Sequence, residues 1–282
     1  MRHYFKYILF GILFLYVLFC QSCMTMRMST KETHTYFDTL KVPFVSKTLK
    51  VDTHEMHYIE TGNPQKPTLF FVHGSPGSWD AFKTYLSDSK LLKRYRMIAI
   101  DRPGFGNSNF GDAEDLPTQA QIIENFITKI DNHQPLVLVG HSMGGPVIVK
   151  MATDNPTLFQ QLVILSGAVD PKAETPEVWR SIIITKPIRY LIPGALRTAN
   201  DELWWLKEDL VAMKPDLKKI TADVLIIHGT KDPLVPYRNM AFMNKAFINA
   251  KSIHNISIEN ANHFIPWEHF ELIRDALFDL KL

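Results

Sequence analysis

The sequence is short of cysteine: its 282 residues include two, Cys20 and Cys23. Both stand at the end of one apolar run, which excludes a disulfide-built scaffold. Charge of one sign is lacking too. Thirty-one basic residues face 29 acidic ones, and a balance of +2 creates no field that would recruit nucleic acid. There is no second long hydrophobic run. The longest, ILFGILFLYVLFC from Ile8 to Cys20, lies at the N-terminus, so a polytopic membrane protein is excluded. Internal repeats and low-complexity tracts are also missing. What is present is ordinary for a folded chain: 46% hydrophobic residues, too apolar for disorder, and enough length to bury a large α/β core.

The N-terminus reads as an address. Arg2 and Lys6 precede the 13-residue run, against the roughly 20 residues that a spanning helix needs. Residues 1–22 are therefore expected to be a signal peptide. Ser22 before Cys23 resembles a bacterial lipoprotein cleavage site, although Cys20 stands where that pattern usually has an aliphatic residue. Extending the run back to Tyr4 takes in Lys6 and keeps an uncleaved anchor as the alternative. The expectation is an exported, bacterial protein, either a membrane-attached lipoprotein or extracytoplasmic, touching a membrane only through this segment or its lipid. If residues 1–22 leave, Arg2 and Lys6 leave with them and 29 charges of each sign remain. Cys20 and Cys23 also spell C-x-x-C, but no strand–helix unit surrounds them, so an export segment explains them better than redox chemistry. Residues 23–41 read as a polar tether.

From residue 42 to 282 the pattern changes. Phe44–Val51 and Glu55–Glu60 alternate apolar and polar, as half-buried antiparallel strands do. Uninterrupted apolar runs follow at 68–72, 97–100, 136–139, 162–165 and 224–227, which predicts strands covered on both faces in a parallel sheet. Helical periodicity lies between them, near 79–93, 117–132, 143–154, 236–248 and 266–280. This alternation is the α/β doubly wound class. Residues 169–220 break the rhythm, with prolines 171, 176, 187, 193 and 215, three tryptophans and no strand pattern. They predict a small helical insertion, a lid, whose nine basic and eight acidic residues make no basic amphipathic face. Trp204 and Trp205 would line a pocket or pack the lid on the body.

Gly140-His141-Ser142-Met143-Gly144 follows a strand pattern and precedes a helical one, the setting in which G-x-S-x-G forms a sharp turn that lifts the serine hydroxyl clear of the sheet. A serine nucleophile needs a base, and the base needs an acid to orient it. Asp232 falls in the loop after the next-to-last strand and His263 after the last, at the edge of a parallel sheet where catalytic loops gather. Asp232 could equally be a turn residue before Pro233, with Asp170 as second choice for the acid. Two backbone N–H groups must receive the oxyanion. Met143, following the nucleophile, supplies one, and Ser75 in His73-Gly74-Ser75-Pro76-Gly77 is the candidate for the other. His141 is expected to pack or to line the pocket. The G-x-G at 104–106 lacks a third glycine for dinucleotide binding, and His54-Glu55-Met56-His57 falls short of a zinc motif. No cofactor and no metal are expected.

Together HGSP (73–76), DRPGFGNS (101–108), GHSMGG (140–145), HGTKDPLVP (228–236) and NANHF (260–264) resemble the α/β-hydrolase superfamily over about residues 42–280. The resemblance implies an eight-stranded, mostly parallel sheet with helices on both faces and a helical lid at about 169–220. It also carries Ser142, Asp232 and His263 over as nucleophile, acid and base, with Ser75 and Met143 as oxyanion donors. Dehalogenases and epoxide hydrolases of this kind use Asp where Ser142 stands. The expected activity is a cofactor-independent serine hydrolase, carboxylesterase-like, acting on a small acyl substrate through an acyl-enzyme. Alternatives are a carbon–carbon bond hydrolase, a proline-iminopeptidase-like aminopeptidase (which usually shows HGGPG where this chain has HGSPG), a haloperoxidase-like relative, and a non-catalytic binding protein on the same fold.

Overall fold

One sheet of eight strands carries the molecule, in the order β1-β2-β4-β3-β5-β6-β7-β8. The strands are β1 (Phe44–Val51), β2 (His54–Gly62), β3 (Thr68–Val72), β4 (Arg96–Ile100), β5 (Leu136–His141), β6 (Gln161–Leu165), β7 (Asp223–Gly229) and β8 (Ser252–Ile258). β2 runs antiparallel to both of its neighbours, and every other pairing is parallel. The computed structural model describes residues 2–175 and 177–282, and the side chains from residue 4 onward apart from 176. Pro176, one of the lid prolines, and the side chain of Arg2 thus lie outside the described residues.

The five apolar runs form β3 to β7 as expected, and their period of two survives inside them. Phe70 and Val72, Leu162 and Ile164, Val224 and Ile226 join one core. Leu69 and Phe71, Val163 and Leu165, Leu225 and Ile227 join the other. Strands buried on both faces can be apolar at every position because each face has its own cover. β8 differs: it pairs only with β7 and leaves much of its surface in solvent, so its sequence, SIHNISI, shows no apolar run.

The helices are α1 (Arg2–Ser22), α2 (Thr30–Leu40), α3 (Lys83–Leu86), α4 (Ser89–Leu92), α5 (Leu116–Ile130), α6 (Gly144–Asp154), α7 (Trp179–Ile183), α8 (Gly194–Met213), α9 (Arg238–Ala246), α10 (Ile265–Glu268) and α11 (Phe270–Phe278). α5 and α6 cover one face of the sheet, and α3, α4 and α11 the other. The lid expected at about 169–220 is helical in its regular elements, built from α7, a short 3-10 turn at Ile188–Leu191, α8 and a second 3-10 turn at Lys214–Lys219.

The N-terminal forty residues depart from the sequence reading. α1 extends well beyond the 13-residue run and has 19 residues, Tyr4–Ser22, apolar enough to cross a membrane. The tether expected over residues 23–41 must be corrected, because residues 30–40 form α2. Ser29 caps it with a capping box: its N–H donates to Glu32 Oε2 at 2.8 Å and its hydroxyl accepts from Glu32 N at 3.3 Å. Phe37 of α2 is fully buried and stacks on Phe44 and Trp79. A single large aromatic, rather than an apolar stripe, docks this helix. The Ser29-x-x-Glu32 spacing was the signal that could have found it.

Candidate active site

Ser142 sits at the carboxyl end of β5, between the strand and α6, with φ at 55°. A left-handed conformation is costly for a residue with a Cβ and persists where the surroundings enforce it. Here the Ser142 N–H donates to Leu165 O at 3.0 Å and its carbonyl accepts from Gly145 N at 2.9 Å. The turn brings α6 so close to β3 that a Cβ on Gly144 would collide with the carbonyl of Val72. Glycine is required there by space.

The loops after β7 and β8 bring the other two residues together. His263 Nδ1 lies 2.7 Å from Asp232 Oδ2, and both residues are buried. An Nδ1–H donated to the carboxylate leaves Nε2 as the free lone pair of the imidazole. Asp232 Oδ1 accepts from the N–H groups of Leu234 and Val235, at 2.9 and 2.8 Å. His228 Nε2 is 2.9 Å from Val235 O and 3.5 Å from Asp232 Oδ2, so the carbonyl takes its proton and the carboxylate feels its dipole. Burial alone would push the Asp232 carboxyl up. The adjacent His228 imidazole and the hydrogen bonds from His263 and Val235 outweigh it and hold the group well below the usual carboxylate range. Asp170, the second-choice acid, turns away: its Oδ1 accepts from Lys172 N at 2.9 Å and its own N–H donates to Asn239.

Ser142, His263, Ser75 and Met143 all line one cavity of about 1210 Å³. The N–H groups of Ser75 and Met143 have no acceptor among the described residues, as donors waiting for a charge should. Leu203, Leu206 and Lys207 of α8 form part of the lining, a spacing of three and four that puts them on one helix face. Trp204 and Trp205 lie off that face and do not line the cavity.

Three features escaped the sequence. His141 Nε2 donates to the carbonyl of His263 at 3.1 Å, with the two rings 4.8 Å apart. Burial, helped by the neighbouring His263, pushes the His141 imidazole down to about 3 and keeps it neutral. His228 is fully buried beneath Asp232. Met26 and Arg27, from the segment between α1 and α2, form part of the cavity wall. Periodicity revealed none of them, because the His141–His263 contact and the wall at Met26 and Arg27 join distant segments and His228 meets Asp232 across an irregular loop.

The DRPGFGNS turn is structural. Asp101 accepts from Trp79 N, Asn107 N and His57 Nδ1, each at 2.8 Å. His54 pairs instead with Glu114 at 3.0 Å.

The sheet order, the strand–turn–helix at Ser142 and the Asp232–His263 pair at one strand edge agree with a family comparison that matches the alpha/beta hydrolase fold over residues 67–189. The chain has the α/β-hydrolase fold, which solved structures at 21% identity share with it. An uncharacterized hydrolase, YugF, of Bacillus subtilis is 26% identical over 265 residues, 81% of this chain and 95% of the relative. Epoxide hydrolase 1 of Caenorhabditis elegans is 26% identical over 120 residues, 42% of this chain and 29% of the relative, so less than a third of that protein is spanned. Among solved structures, one described as a membrane phospholipase A, a bacterial virulence factor, covers 99% of both chains, with a TM-score of 0.65 and 21% identity.

Proposed function

We propose that this α/β-hydrolase cleaves a carboxylic ester through an acyl-enzyme on Ser142. His263 Nε2 takes the hydroxyl proton as the serine oxygen attacks the carbonyl carbon, and Asp232 steadies the imidazolium. The oxyanion settles against the N–H groups of Ser75 and Met143. His263 then returns the proton to the leaving alkoxide, and water repeats the sequence to free the acid. The observation that carries the reading is the free Nε2 of an Asp232-bound His263 lining the same cavity as Ser142. An epoxide hydrolase would need a carboxylate at position 142, where this chain has serine.

We also propose that α1 is an anchor. Its 19-residue segment Tyr4–Ser22, with a mean hydropathy of 1.7, suits a single crossing, and the likeness to a membrane phospholipase A extends along 99% of the chain. The test of the reaction is labelling by a fluorophosphonate, with hydrolysis of p-nitrophenyl butyrate alongside. Labelling that persists in Ser142→Ala would overturn the assignment of the nucleophile.

A further inference from the structure

α1 does not stand clear of the hydrolase. Its last two turns lie against the lid. Tyr16 Oη donates to Leu191 O at 3.0 Å, Cys20 Sγ to the same carbonyl at 3.4 Å, and Gln21 Nε2 to Tyr190 O at 3.0 Å. Arg197 of α8 donates back to the Gln21 side chain, and Cys20 is fully buried. Just past the helix, Ala195 N donates to Met24 O at 3.0 Å. Gly194, at φ 42°, sits so close that any Cβ would strike the Cys23 and Met24 carbonyls.

These contacts fix the height of the lid along α1. Nineteen residues at 1.5 Å each span about 28 Å, close to the roughly 30 Å of a hydrocarbon core. Tyr16 lies six residues before Ser22, which is about 9 Å inside the end of the helix. A helix placed across a bilayer therefore holds Tyr16 within the hydrocarbon core and Gln21, bonded to Tyr190 O, at its edge, so Tyr190 and Leu191 sit where the core meets the interfacial layer. The lid residues next to this level are unusually apolar on the outside. Val178 is 76% exposed, Ile182 60%, Trp179 48% and Ile188 39%. Lys186 is exposed between them and suits anionic headgroups. The near-neutral charge of the lid hid this surface from the sequence, because its signal is exposed apolar area and not a basic face.

We propose that residues 178–191 are a bilayer-contact surface. Val178, Trp179, Ile182 and Ile188 enter the interface of the membrane that α1 crosses, and the cavity beneath, whose wall includes Arg180 from the same stretch and Glu177 just before it, takes its acyl substrate from that interface. The substrate clause rests on the serine-hydrolase reading, whereas the surface itself does not.

The test uses the full chain reconstituted in phosphatidylcholine vesicles, with and without brominated acyl chains. The native protein should lose tryptophan fluorescence in brominated vesicles, and Trp179→Phe should lose measurably less. In the Val178→Ser/Ile182→Ser variant, KM for a vesicle-borne ester should rise about tenfold while KM for soluble p-nitrophenyl acetate stays within twofold. Equal quenching of native protein and Trp179→Phe would overturn the surface. Equal quenching together with a concentration-dependent dimer that the double variant breaks would assign these residues to a second copy instead. If the native protein hydrolyses neither ester, the function reading fails, and the quenching comparison still decides the surface.

Discussion

Arg102 and Glu202 form a fully buried pair, Nη1 to Oε2 at 2.7 Å and Nη2 to Oε1 at 2.9 Å, that joins the loop after β4 to the lid helix α8. The same guanidinium donates to the carbonyls of His73 and Gly74, at 2.9 and 3.0 Å. The Gly74 carbonyl belongs to the peptide that carries the Ser75 N–H. One ion pair thus holds the lid and the loop of Ser75 in register. Removing the acid leaves a buried charge unpaired, so Glu202→Ala should cost about 3–5 kcal/mol in urea unfolding. A loss below about 1 kcal/mol would show that the pair matters little to the fold.

Ser142→Ala should lower ester turnover by about 10⁴-fold or more with the melting temperature unchanged or raised, since the strained hydroxyl-bearing residue makes no side-chain hydrogen bond among the described residues. Unaltered turnover in a pure sample would reject the mechanism.

The two acids can be told apart. Asp232→Asn should reduce kcat by about 10⁴-fold, because the amide favours the wrong imidazole tautomer. Asp170→Asn should stay within about threefold, since its carboxylate serves only its own loop. Steady-state kinetics on both variants checks this, and a reversed order would move the acid to Asp170.

Gly144→Ala should destabilise the fold by about 3 kcal/mol or more, since the new methyl collides with a backbone carbonyl rather than a flexible side chain. Calorimetry that found a native-like melting temperature would contradict the close approach of α6 to β3.

Glu124 of α5 is half-buried with Oε1 lacking any partner among the described residues, and burial pushes its carboxyl up to about 7. Below the unfolded value near 4.5 both states hold the proton and the group is neutral in effect. As pH rises toward 7 only the unfolded state ionises freely, so stability falls, and above 7 the full cost is present. Discounted for solvent, that cost is about 1 kcal/mol. Glu124→Gln should therefore raise the melting temperature by about 2 °C at pH 8 and leave it unchanged at pH 4. An equal gain at both pH values would refute the titration.

Much of the fold could be read from residues alone, because a parallel strand covered on both faces must be apolar at consecutive positions, and five such runs stand out. Ser142, Asp232 and His263 were legible for a related reason: each follows a strand pattern at the edge where loops converge. β8 was faint because an edge strand has solvent on one side. α2 was missed because one buried phenylalanine, Phe37, holds it, and one residue makes no period.

By itself the sequence determined the sheet, the elbow and the order in which the three polar residues reach one edge, since these follow from local apolar pattern and turn chemistry. Tertiary structure alone decided that Asp232 and not Asp170 meets His263, that Arg102 reaches Glu202, and that α1 rests on the lid. Each of these is a contact between segments far apart in the chain, set by how helices and loops pack around the sheet, and no local pattern encodes such a meeting.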